Sequence, residues 1–176
     1  DKRRECADYI YREGKRLEKL SANLLEIIVM ENSDIKCIDI NTEHLFKEIR
    51  GSVAFLLKKY GVKLHIKYEN AVISAEPSLL KTLLYNLIDN AIKFSHNNSA
   101  ITIETTIKNG KVFISIKDTG IGIPKDSIKK IWERFYKTDQ SRGKDKKGTG
   151  LGLAIVKEIV QAHKQNINVI STEGVG

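Results

Sequence analysis

The sequence predicts an α+β fold, a two-layer arrangement with a mixed sheet, preceded by one long helix. Three observations carry that reading. Stretches of period two and of period 3.6 are interspersed along the 176 residues. Two alternating runs meet at Asn109-Gly110, a strong hairpin signal, so the sheet is not purely parallel. Ahead of them, residues 2–31 place Cys6, Ile10, Leu17, Leu20, Leu24 and Ile27 on a three-four spacing, the seam of a coiled coil or helical bundle.

The elements follow in order. The first helix cannot bury its stripe alone and needs partners, and nothing nearby in the chain offers a second matching helix. Asn32-Ser33-Asp34 reads as a hinge, which divides the chain into residues 1–34 and 35–176. A strand is expected near Lys36 to Ile40. Asn41 or Thr42 can cap a helix to about Tyr60, which Gly61 stops. Val62 to Tyr68 alternates as a strand and Val72 to Ser74 is a short one. Glu76-Pro77-Ser78 opens a helix to about Ser95, with proline where its missing N–H costs little. Ser99–Lys108 and Lys111–Asp118 flank the hairpin. A short helix near Lys125 to Arg134, a loop from Thr138 to Lys147, a helix from Gly150 to His163 and a strand from Asn166 to Thr172 complete the prediction.

Composition narrows the function. Hydrophobic content of 41% and charged content of 30% exclude a disordered chain, and no apolar run reaches the length of a membrane span. The chain does not begin with Met and shows no signal peptide, which reads as an excised piece with an upstream membrane segment left open. Net charge is +8, and five basic residues against two acidic ones lie between Lys137 and Lys147, beside glycines. That favours a polyanion over a merely solvated surface. Nucleic acid is the weaker reading, because basic residues and aromatics are not interleaved. Cys6 and Cys37 lack metal-ligand spacing and suggest a reducing compartment.

Three motifs carry chemistry. Asn86, Asn90 and Lys93 lie at i, i+4 and i+7 on one stripe of a helix. Asparagine is a poor mid-helix residue, so two in register need a reason. A carboxamide oxygen suits a Mg²⁺ that already carries phosphates, and Lys93 adds a point charge; a solvated polar face is the alternative. Asp118 shares parity with Val112, Ile114 and Ile116, so its carboxylate points where the apolar face points. A base's exocyclic amine would satisfy it there, or it caps the turn into Gly120 and Gly122. Last, Gly148-Thr149-Gly150-Leu151-Gly152-Leu153 runs into a helix start, a ready anion site. It follows no strand and contains no Gly-Lys-Ser/Thr, so neither a Rossmann nor a Walker reading fits. The Lys-rich stretch before it would make a mobile lid over a triphosphate.

These segments resemble, in order, the four boxes of sensor histidine kinases. Leu84 to Phe94 is similar to the N box, Asp118 to Pro124 to the G1 box, Trp132 to Tyr136 to the F box, and Gly148 to Leu153 to the G2 box. The resemblance runs from about Cys37 to Gly176, and the first helix resembles the second helix of that family's dimerisation and phosphotransfer bundle. It implies a Bergerat-type ATP fold with helices on one face of the sheet, and ATP with Mg²⁺ held by Asn90 and Asn86. Asp118 would read adenine, with Gly120, Gly122 and Ile123 against the ring and Lys93 and Phe94 flanking the nucleotide. Phe135 would anchor the lid, with Tyr136 beside it, and Arg134, Lys137 and Arg142 are candidates for the γ-phosphate. Gly148, Thr149, Gly150, Leu151, Gly152 and Leu153 would wrap the phosphates. The implied partners are the protein's own bundle, a second copy as homodimer and a response regulator. The implied location is a cytoplasmic domain of a protein anchored in the cell membrane. Same-fold alternatives are an ATPase clamp and a nucleotide-binding signalling module without kinase activity.

Two departures from the family pattern matter. The phosphoacceptor helix has no counterpart here, and His44, His65, His96 and His163 sit in the wrong elements, so all four read as structural or surface groups. His163-Lys164-Gln165 stands where the family has His-Gly-Gly, so a left-handed turn falls to Lys, Gln or Asn166. The family's last strand would also fall beyond Gly176, so an incomplete sheet edge is expected.

Overall fold

A computed structural model describes residues 2–31, 35–138 and 148–176. The elements are α1 (Lys2–Glu31), β1 (Ile38–Asn41), α2 (Thr42–Tyr60), β2 (Lys63–Lys67), β3 (Val72–Ala75), α3 (Pro77–Phe94), β4 (Ala100–Lys108), β5 (Lys111–Lys117) and α4 (Gly152–Ala162). β2 runs parallel to β4 and β4 antiparallel to β5, so the sheet is mixed as expected, while β1 and β3 pair antiparallel as a separate ribbon. The hairpin places Asn109 at φ 51° and Gly110 at φ 72°, the two positive values that a twisted two-residue turn requires. No described helix is long and apolar enough to cross a membrane.

Local sequence explains the helix ends. The Asn41 side chain accepts from the N–H of Glu43, and Gly61 closes α2 at φ 64°. The carboxylate of Glu76 accepts from the N–H of Leu79 and the hydroxyl of Ser78, which starts α3 just before Pro77. Burial opposes its charge, but these bonds outweigh it and hold the carboxyl below its ordinary range.

The main core lies between sheet and helices. Ile101 and Ile103 of β4 meet Phe46, Ile49 and Val53 of α2 and Leu84, Ile88 and Ile92 of α3, all buried. Ile114 and Ile116 of β5 pack on the same core, as their parity predicts. Buried Thr42 and Thr105 are both partnered. Thr42 donates to Glu69 O and accepts from Ala71 N, and Thr105 accepts from Glu69 N.

Four expectations need correction. α1 does find a partner in this chain, because Leu20 and Leu24 pack with Leu79 and Leu83 on Leu151, Ile155 and Ile159 of the α4 region. Tyr9, Ile10, Leu17 and Leu25 of α1 stay exposed. Residues 166–172 form no strand: the side chains alternate between half-buried and exposed, but no neighbouring chain supplies ladder bonds among the described residues. The helix near Lys125 is only a 3₁₀ turn over Lys125–Ser127, followed by further turns closed mostly by i to i−3 bonds. Finally, α4 begins at Gly152 rather than Gly150, because Gly150 sits at φ 73° and cannot be helical. The expected hinge at residues 32–34 and most of the expected lid, with Arg142, lie outside the described residues.

Candidate functional site

α3 and the start of α4 bring the first and third motifs together. The Asn86 amide nitrogen donates to Thr82 O at 2.9 Å, which turns its oxygen towards α4. A Cβ at Gly152 would stand 3.1 Å from that oxygen and 3.9 Å from the Asn90 amide nitrogen. Glycine is therefore required for closeness here, since any side chain would fill the space between the carboxamides and the helix start. Neither the Asn86 oxygen nor the half-buried Asn90 carboxamide has a hydrogen-bond partner among the described residues. Those residues hold no cluster of His, Cys, Asp or Glu able to ligate a metal. The neutral Asn86 oxygen beside a helix start, where exposed N–H groups favour anions, fits a hard cation that arrives with phosphates, and Asn90 places its carboxamide nearby with the nitrogen towards Gly152.

The second motif is tied to the end of α3. Ile121 N donates to Phe94 O at 3.1 Å, and Ser95 and Gly120 form an isolated antiparallel bridge. A Cβ at Gly120 would collide with Phe94 O, so the loop lies directly on the helix end. Asp118 is half-buried, and its Oδ1 accepts from Gly120 N at 2.9 Å. The turn-capping role expected as an alternative is thus present. The second carboxylate oxygen has no hydrogen-bond partner among the described residues, so it remains available to a donor. On the loop's other side, Ile123 N donates to Ser171 Oγ at 2.9 Å and Gly174 N to Ile121 O at 2.8 Å.

The glycine turn before α4 rests on the segment after Trp132. Phe135 N donates to Gly150 O at 3.0 Å, and a Cβ at Gly150 would come within 2.8 Å of the Phe135 carbonyl carbon. Phe135 itself adopts φ 66° and is 57% exposed, and its backbone makes this contact. Thr149 Oγ1 accepts from Leu151 N at 3.3 Å.

Several expected contacts are placed otherwise. The Leu151 side chain is fully buried among α1, α3 and α4, so only its backbone can face a ligand. Tyr136 turns its hydroxyl to Ser127 Oγ at 2.9 Å, an internal bond. The Arg134 guanidinium lies 3.9 Å from Glu158. Lys93 Nζ lies 2.6 Å from Asp89 Oδ2, a partner that the sequence reading missed although the i, i+4 spacing announces it. Lys137, Gly148 and Leu153 are half-buried. His44, His65 and His96 are exposed, as are Cys6 and Cys37, while His163 is bonded within the fold.

Residues 75–176 match the family described as histidine kinase-, DNA gyrase B-, and HSP90-like ATPase. The chain is 34% identical over 174 residues to the sensor histidine kinase YkoH of Bacillus subtilis, covering 98% of this chain and 37% of that protein. It therefore spans little more than a third of that relative's length. A solved structure of full-length ShkA in complex with AMPPNP superposes with a TM-score of 0.76 at 24% identity, covering 92% of this chain and 34% of that one. The histidine kinase ThkA, solved in complex with the response regulator protein TrrA, gives 0.63 at 24% identity over 74% of this chain and 40% of that one. The chain belongs to the histidine kinase-, DNA gyrase B-, and HSP90-like ATPase family.

Proposed function

We propose that this chain is the ATP-binding catalytic part of a sensor histidine kinase, which donates the γ-phosphate to a histidine on a bundle helix outside residues 1–176. The observation that carries the reading is the approach of Asn86 and Asn90 to Gly152, which joins the open Asn86 oxygen and the unbonded Asn90 carboxamide to a helix start. In this reading Asn90, helped by Asn86, holds Mg²⁺. When bound, that ion neutralises phosphate charge. The N–H groups at the start of α4 take phosphate oxygens, and Lys93 adds a positive charge. The open oxygen of Asp118 accepts a hydrogen bond from the adenine amine. Catalysis is then positioning of the triphosphate for in-line attack by an imidazole, without a covalent step on this chain's own side chains. The whole protein would act as a membrane-anchored homodimer that passes the phosphoryl group to a response regulator.

Nucleotide titration with and without Mg²⁺ tests the site. Asn90→Ala should lose the Mg²⁺-dependent part of ATP affinity, and Asp118→Asn should weaken adenine nucleotides selectively over guanine ones. Parent-like binding by either variant removes that residue's assignment. Phosphotransfer in trans tests the activity: mixed with Mg-ATP and a peptide carrying its phosphoacceptor helix, the chain should yield acid-labile phosphate. Intact ATP binding without transfer would favour a nucleotide-binding signalling module.

A further inference from the structure

We infer that Asp89 is a positioning residue for the triphosphate, acting by holding the Lys93 ammonium back along α3 to the level of Asn90. The inference rests on the proposed role of Lys93 at the phosphates. Lys93 lies near the end of α3, beyond Asn90, and its long side chain could extend into water. Instead Nζ reaches back one turn to Asp89 Oδ2 at 2.6 Å. Side chains on a helix lean towards its N-terminus, and an acidic residue four positions before a lysine is the favourable order.

The location of the pair matters more than its existence. Asp89 immediately precedes Asn90, so the captured ammonium is held near the level of Asn90 along the helix axis, on the side that Asp89 faces. Around the helix at 100° per residue, Lys93 lies between Asp89 and Asn86, on the border of the asparagine stripe. The two side chains are 25% and 16% exposed, against 58% and 67% for the surface pair of Lys15 and Glu18. A pair so largely removed from water fixes the lysine's rotamers more firmly than an exposed one does. Tyr85, one turn before Asp89 on the same face and partly exposed, feels both charges of the pair. Its phenol is pushed above its ordinary range first by burial and then by the Asp89 carboxylate, with Lys93 opposing. A lysine ordered before the nucleotide arrives loses less freedom on binding it.

The test compares ATP, ADP and adenosine on the full 176-residue chain. Asp89→Asn should weaken ATP about fivefold, ADP less, and leave adenosine unchanged, because only the phosphates feel the lysine. Asp89→Glu, which can still reach Lys93, should restore most of the ATP affinity. Lys93→Met should weaken ATP, and adding Asp89→Asn to it should cost nothing further. Unchanged adenosine binding shows that each variant is folded. If Asp89→Asn binds ATP as tightly as the parent or more tightly, or if the two losses add, the inference is overturned while Lys93 keeps its role. Should Lys93→Met itself leave ATP affinity untouched, the assignment of Lys93 to the phosphates fails first, and the inference with it.

Discussion

His163 accepts a hydrogen bond at Nε2 from the backbone N–H of Glu76, 3.0 Å away, while its Nδ1 donates to Ile159 O at 2.8 Å. One ring thus ties the end of α4 to the start of α3, and its two partners select the tautomer protonated at Nδ1. The ring therefore has a structural role. Replacing it with alanine orphans the Glu76 N–H and should cost about 1–2 kcal/mol. Urea unfolding of His163→Ala checks this, and an unchanged midpoint would show that the bond contributes nothing.

Lys164 occupies the left-handed region at φ 54°. Its N–H reaches Gln161 O at 2.8 Å and the next N–H, of Gln165, reaches Val160 O at 3.0 Å, the paired bonds of a Schellman end. The turn therefore survives without glycine, at the cost of a Cβ in a disfavoured conformation. Lys164→Gly should stabilise the fold by about 0.5–1 kcal/mol, the steric relief outweighing the added freedom of the unfolded chain. Thermal unfolding should show a higher midpoint with nucleotide affinity unchanged.

Gly152→Ala separates binding from folding. Alanine is the better helix former, which offsets the close approach to the Asn86 side chain, so the variant should still fold. The new methyl would stand 3.1 Å from the Asn86 oxygen, in the space that a phosphate and its cation would need. Affinity for Mg-ATP should fall about tenfold, a loss of roughly 1.4 kcal/mol. Equal affinity in parent and variant would mean that the phosphates lie elsewhere.

Glu76 predicts an acid-side dependence. Its folded carboxyl is held below the ordinary value of 4.5 by its bonds to Leu79 and Ser78, against the effect of burial. A depressed carboxyl contributes stability that is complete above the unfolded value and disappears as pH falls through the folded one. The cap contributes about 1 kcal/mol. Stability measured from pH 6 down to about 3 should fall less steeply in Glu76→Gln than in the parent. Parallel profiles would dismiss this carboxylate as a contributor.

Local chemistry was the legible part of the sequence. The Asn109-Gly110 hairpin, the Asn41 and Glu76 caps, the Gly61 stop and the inward parity of Ile114 and Ile116 each depend on a few neighbouring residues. What failed depended on distant ones. The alternation of residues 166–172 is real, but a strand is defined by the chain beside it. Leu151 looked like part of a phosphate loop, and its burial is decided by Leu20 and Leu24 about 130 residues away. Phe135 was marked by its aromatic ring, whereas its backbone meets Gly150, a contact that side-chain identity does not announce. Asp89 was readable from spacing alone and was overlooked beside the more distinctive asparagines.

The seating of Leu20 and Leu24 on Leu151 and Ile155 has a practical consequence for anyone trimming the chain. A cut after residue 34 yields a unit that begins neatly before β1 and keeps every polar residue of the proposed site. The same cut strips the apolar cover from the foot of the glycine turn, because Leu151 lends its backbone to that turn and its side chain to α1. A shortened protein would therefore lose rigidity where the phosphates are expected to rest, and would gain a sticky patch there. Weak ATP binding by such a piece would measure the missing helix rather than the site.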